Sequence, residues 1–176
     1  MPLNKIKLYP QLLDLGQFNE NQRNESLKGI FRRDIENNPN FKFQTKPIRP
    51  IKKEGQASME ILFHHLTTRE DRDEKGKKTG TRSFEMARSQ RLHWVKYHID
   101  GIKTQNIDIF SYEDRLEGRG DVIRTYIYDM DQEYVIILEP QRSNLDYYLI
   151  TAYYLNEPGG KKQIVNKQKK KMNELY

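Results

Sequence analysis

Apolar residues in this chain gather into a few short segments, and their spacing changes from one segment to the next. Over residues 21–37, "NQRNESLKGIFRRDIEN", Leu27, Ile30, Phe31 and Ile35 share one stripe of a 3.6-residue period, which predicts an amphipathic helix stopped by "NNPN" at 37–40. The following "FKFQTKPIRPI" alternates from Phe41 but contains Pro47 and Pro50, so an edge strand or extended connector is expected. Helical spacing returns over residues 56–66 through Met59, Leu62, Phe63 and Leu66. Residues 67–81, "TTREDRDEKGKKTGT", have no apolar member and predict a mobile, mixed-charge loop. The longest helix is expected over 83–102, with Ser83 as N-cap, Gly101 near its end, and a buried stripe of Phe84, Ala87, Leu92, Val95, Ile99 and Ile102.

Beyond residue 106 the pattern changes to that of strands. Segments 107–112, 122–128, 134–138 and 145–155 are rich in β-branched and aromatic residues, and "EGRGD", "DMDQ" and "PQRSN" supply turn chemistry between them. Short connections favour antiparallel neighbours, so the expected fold is α+β, with N-terminal helices packed on one face of an antiparallel meander of about four strands. The last segment, "LDYYLITAYYL", carries the strongest strand signal. Alternation places Tyr147, Leu149, Thr151 and Tyr153 on one face, and Tyr148, Ile150, Ala152 and Tyr154 on the other. Both faces are largely apolar, as an interior strand requires.

Charge adds a class of partner. The 176 residues carry a formal net charge of +6, which favours a polyanion. Many of the lysines fall near the end, at Lys161, Lys162, Lys167, Lys169, Lys170 and Lys171, either as a solvated tail or as a phosphate-tracking arm. No cysteine is present, so disulfides and thiolate metal sites are excluded. No apolar run approaches the length of a membrane span, and a cytoplasmic protein with no membrane partner is expected.

In the second strand Val122, Arg124, Tyr126 and Tyr128 share a face, and Ile123, Thr125 and Ile127 share the other. The first set suits solvent or a ligand. With Thr151 and Tyr153 beside it, such a face presents an arginine among tyrosines and can stack bases and hold phosphates; tyrosines that merely cap a half-exposed sheet are the competing explanation. Arg88 lies on the buried stripe of the long predicted helix and Arg91 at its border, so each needs a partner or a cavity. His64 and His65 are adjacent and diverge on a helix, and there is no HExxH, nucleotide-binding loop or Gly-x-Ser-x-Gly. No metal or other cofactor is expected. The residues left for chemistry are His65, His93, His98, Lys96, the arginines and the tyrosines. They suit metal-independent RNA cleavage, and equally suit structural roles.

The segments "LFHHLTT", "RSQRLHW" and "LITAY" resemble the phage-associated members of the barnase, EndoU, colicin and RelE-like nuclease superfamily over roughly residues 59–155. The resemblance implies a metal-independent endoribonuclease, toxin-like or used in phage conflict, acting by 2′-hydroxyl attack on the adjacent phosphate. It divides the chain into an extension at 1–55, a nuclease-like domain at 56–160 and a basic tail at 161–176. Matching positions are Arg88, Arg91, Arg124, Thr151 and Tyr153, with His65 entering through "HLTT". His93, three residues before Lys96, is a further proton carrier. Lys96, Tyr126, Tyr128, Arg142, Lys161 and Lys162 are expected to contact nucleic acid. The implied partners are RNA, with tRNA among the candidates, and a neutralising protein. The alternatives are a nonenzymatic nucleic-acid-binding module and a phage or mobile-element accessory protein that docks another protein.

Overall fold

A computed structural model describes residues 2–53, 55 and 58–176. The chain begins with a single turn, α1 (Pro2–Lys5), and a segment in which Leu13 and Leu15 are fully buried. Helix α2 (Glu20–Phe31) starts at a capping box in which the Asn19 side chain accepts from the Gln22 amide and the Gln22 side chain accepts from the Asn19 amide. Its end widens over Arg32–Glu36, where the Asn37 amide donates to the Arg32 carbonyl.

Strands β1 (Lys42–Phe43) and β2 (Lys46–Pro50) follow, then α3 (Ser58–Thr67). Positions 56 and 57, with which the expected helix began, lie outside the described residues. Strands β3 (Thr68–Arg72) and β4 (Lys78–Phe84) form a separate antiparallel pair, and two short helices, α4 (Met86–Ser89) and α5 (Trp94–Ile99), come next. The meander β5 (Ile107–Leu116), β6 (Gly120–Asp129), β7 (Tyr134–Gln141) and β8 (Asp146–Tyr154) precedes α6 (Gly160–Lys169).

The α+β class and the antiparallel meander agree with the sequence pattern. The sheet is larger than the expected four strands, with order β1-β2-β8-β7-β6-β5. Strand β2 joins it parallel to β8, pairing Ile48 with Tyr147 and Pro50 with Leu149. Pro47 and Pro50 are tolerated there because β2 has only the two-residue β1 on its far side. Strand β8 is therefore interior, as its two apolar faces require.

Both sheet faces are covered, where one was expected. The main core joins Leu13, Leu27, Ile30, Leu62, Leu66, Trp94 and Val95 to Ile127, Ile136, Leu138, Leu149 and Ala152, so it runs across residue 55 without a break. A second core lies on the opposite face, where Ile164 of α6 packs with Phe110, Tyr126, Tyr128, Val135 and Leu155. The tail is thus a packed helix. Beyond it, the Met172 amide donates to the Ser111 carbonyl, and the Tyr176 carbonyl accepts from Thr125 and Tyr147 hydroxyls. Among the described residues no helix is long and apolar enough to cross a membrane.

Two expectations fail for identifiable reasons. The polar stretch 67–81 is a hairpin and not a mobile loop. Its tip is held by the Asp73 carboxylate, which accepts from the Lys75 and Lys77 amides, and by Gly76 at φ +77°. The long helix over 83–102 is broken, and Ser83 is no N-cap, because Ser83 and Phe84 belong to β4. At the break the Leu13 amide takes the Gln90 carbonyl, Ser89 donates to the Thr67 carbonyl, and tighter i to i+3 bonds replace helical ones from Arg91 to Val95.

Candidate anion-binding cleft

The face of β8 opposite the main core forms the floor of an open cleft of about 710 Å³. What presents there depends on one irregularity. Ile137 pairs with Thr151 but Leu138 pairs with Leu149, leaving Ile150 as an extra residue. Such a bulge shifts the alternation by one. Tyr147, Leu149 and Ala152 consequently face the main core, whereas Ile150 and Tyr153 face the second one. This corrects the simple alternation, which would have set Tyr153 with Leu149 under the helices. Thr151, at the bulge, lines the cleft with Ile150 and Tyr153.

Five of the seven proposed catalytic residues converge here: His65, Arg88, Arg124, Thr151 and Tyr153. His65, near the end of α3, sets its Nδ1 3.4 Å from the Ile150 carbonyl oxygen. Burial, reinforced by the charge of Arg82, lowers its pKa below the ordinary 6.5, so the ring is neutral at pH 7. Arg88 reaches from α4 across the end of α3. Its Nη1 donates to the carbonyls of His65 and Thr68, both at 2.8 Å, and its guanidinium lies 5.2 Å from the centre of the Tyr153 ring. A cation placed on the carbonyls at the C-terminal end of a helix helps to satisfy them and interacts favourably with the helix dipole. Thr151 Oγ1 donates to the same His65 carbonyl at 3.3 Å. Arg88 and Thr151 therefore fix the end of α3 that carries His65. Arg124 stands 3.6 Å from the buried Glu139 carboxylate, and its Nε has no hydrogen-bond partner.

The remaining cations come from the hairpin that was expected to be a loop. Arg69, Arg72, Lys78 and Arg82 bring the lining to six arginines and lysines against Glu70 and Glu157. Arg69 is paired with Glu157, and Lys78 with Glu70 at 3.1 Å. Arg82 donates from Nε and Nη2 to the hydroxyl and carbonyl of Thr68, each at 2.9 Å. Among the described residues neither Arg82 nor Arg88 has a carboxylate within ion-pairing distance. The wall is thus cationic even after its own pairs are formed. Its sequence signal was the turn former Asp73 with Gly76 between two threonine-bearing arms. Without apolar alternation that signal did not register as strands.

Two expected catalytic residues lie elsewhere. Arg91 does not line the cleft; its guanidinium covers Tyr154 at 4.0 Å and its Nη1 donates to the Ala87 carbonyl. Tyr154 follows Tyr153 and points the opposite way, which carries Arg91 with it. His93 is buried beside Trp94 with neither ring nitrogen bonded, and burial lowers its pKa to about 4. Since α5 begins only at Trp94, the break that precedes it turns His93 inward. His98, the last of the three histidines considered for chemistry, is enclosed by the Trp94 carbonyl and the Asp129 carboxylate, each at 2.8 Å. Tyr9 and Lys103 also donate to Asp129, and together with His98 they outweigh its burial and hold its carboxyl well below the usual range.

Most of the expected nucleic-acid contacts are also engaged. Tyr126 and Tyr128 are buried beneath α6, so their face is closed and not open. Tyr126 donates to Asp114, which Lys167 pairs at 2.6 Å. Lys96 pairs with Asp100, Arg142 with Asp146, and Lys161 with Glu133. Lys162 is exposed, and it is absent from the cleft lining. Comparison with protein-family models, with curated proteins and with solved structures returned no match.

Proposed function

We propose that the cleft binds RNA by its phosphodiester backbone and cleaves it without a metal ion. The observation that carries this reading is the convergence of His65, Arg82, Arg88 and Arg124 on the Thr151–Tyr153 floor. A wall of arginines matches the geometry of phosphate oxygens, and an open cleft, unlike a closed pocket for a small acid, lets a polymer pass through. The neutral imidazole of His65 takes the proton of a 2′-hydroxyl as its oxygen bonds to the adjacent phosphorus. Arg82 and Arg124 stabilise the charge on the non-bridging oxygens. The phosphorus–5′-oxygen bond breaks, and the 5′-oxygen takes its proton from Tyr153. Burial raises the pKa of that phenol above its ordinary 10.0, so the proton is present at neutral pH. The products are a 2′,3′-cyclic phosphate and a 5′-hydroxyl end.

The test is incubation of purified, folded protein with total RNA in EDTA, alongside a His65→Ala variant. Expected are cyclic-phosphate ends from the wild type and a rate at least about 100-fold lower for the variant, the usual contribution of a positioned base. RNA that stays intact with the wild type overturns the cleavage step.

A second reading, RNA binding without cleavage, is favoured by the use of Arg88 as a support: its Nη1 already serves two backbone carbonyls. It requires salt-sensitive RNA binding with no cleaved product.

A further inference from the structure

A second groove opens on the other side of the hairpin base, between the start of α2, the end of α3 and β4, with a volume of about 480 Å³. We propose that it is a nucleobase subsite, taking one unpaired base of a single strand whose backbone lies in the cleft. The inference rests on the RNA-binding reading above and adds a base-recognising pocket to it.

Three observations support it. First, Arg82 lines both cavities, so a phosphate held on its guanidinium would adjoin each of them. The arm is already fixed by its two hydrogen bonds to Thr68, which limits the entropy lost on binding. Second, Phe84 is 40% exposed at the end of a strand that is otherwise polar. No core packing accounts for a ring held there. Its partner is Arg23, whose guanidinium lies 4.6 Å from the ring centre and whose Nε is buried without a hydrogen bond. An aromatic ring with an arginine plane on it is a surface on which bases of any sequence can stack. Third, Asn21 and Asn24 stand exposed on the wall of the same groove. Their amides supply both donors and acceptors for a base edge. The volume falls within the range of small-ligand pockets, large enough for one nucleoside.

Strand geometry links the parts. Arg82 and Phe84 are two residues apart in β4 and so share one side of the hairpin. A chain crossing that side meets an arginine and then an aromatic ring, in the alternation of phosphate and base along a single strand. Duplex RNA would not fit this subsite, since its bases are stacked on one another and closed to Phe84.

The experiment measures fluorescence anisotropy with a labelled single-stranded 2′-O-methyl RNA dodecamer, which lacks the nucleophile and cannot be cleaved by 2′-attack, with inorganic polyphosphate as the second ligand. Phe84→Ala is expected to weaken dodecamer binding about tenfold while leaving polyphosphate binding unchanged, whereas Arg82→Ala weakens both. Phe84→Leu, which keeps apolar packing but removes the ring, is expected to behave as Phe84→Ala does. Equal losses for both ligands, or no loss in the dodecamer, overturn the subsite while leaving the anion cleft standing. A wild-type protein that binds polyphosphate yet not the dodecamer likewise overturns the subsite alone. If the wild type binds neither, the RNA-binding reading falls and the subsite falls with it.

Discussion

At the scale of single residues, the two partly or fully buried histidines with lowered pKa values have different consequences. His65 lines the cleft, and its pKa is lowered by burial and by Arg82. A base must be neutral to act, so the proposed cleavage is expected to rise with pH along an acid limb whose midpoint lies below pH 6.5. Replacing Arg82 by Gln removes a repelling charge and should move that acid limb upward in a pH–rate profile of kcat. His93 affects stability instead. Its folded pKa of about 4 lies below the ordinary 6.5, so between those values the unfolded chain binds a proton that the native chain does not. Stability is therefore complete above pH 6.5 and declines as pH falls toward 4, by roughly 3 kcal/mol in all. Denaturant titrations of His93→Phe at pH 7 and pH 4.5 should show a smaller acid loss than the wild type; an equal loss would assign the acid sensitivity to other groups.

At the scale of elements, the β3–β4 hairpin and the bulge in β8 build the site. Every residue of β4 is exposed, so the hairpin contributes charge and shape to the cleft and little to the core. Arg72 and Lys78 face one another near its tip. The Arg72→Ala, Lys78→Ala double variant should melt close to the wild-type temperature. Its affinity for single-stranded RNA should depend less on salt, with the slope of log K against log salt concentration reduced by roughly 1.4 if both residues neutralise phosphates. An unchanged slope would place the RNA path away from the hairpin tip. The bulge has a comparable importance for the floor. Were β8 paired regularly, with no bulge at Ile150, Tyr153 would share a face with Leu149 in the main core and Tyr154 would take its place on the cleft side.

Across the whole molecule, the two cores depend on contacts distant in sequence. Helix α6 closes the second sheet face largely through Ile164, which is 2% exposed. Ile164→Ala should lower the unfolding free energy by about 2–4 kcal/mol, as other large-to-small core changes do. It should also expose the buried ring of Tyr126, seen as a shift in tyrosine fluorescence. A near-neutral variant would mean that the helix is only loosely seated.

What was legible in the sequence follows from the local character of its signals. Apolar period and turn chemistry determined the α+β class, the four-strand meander, the interior position of β8 and the helix around Leu27 and Ile30, because each depends on a pattern within a dozen residues. Of the residues that line the cleft, His65, Arg88, Arg124, Thr151 and Tyr153 were singled out from residue type, local pattern and the family resemblance, whereas Arg82, and Phe84 of the adjoining groove, were not singled out for binding. The tertiary structure decided the rest. It placed β2 against β8 across nearly a hundred residues, broke the predicted long helix by giving the Gln90 carbonyl to Leu13, and covered Tyr126 and Tyr128 with a helix from the basic tail. It also inserted the bulge that turns Tyr153 toward the arginines. The physical reason is that periodicity specifies which side of an element is apolar, whereas the partner of that side, and the register at which they meet, are set by packing between segments far apart in the chain.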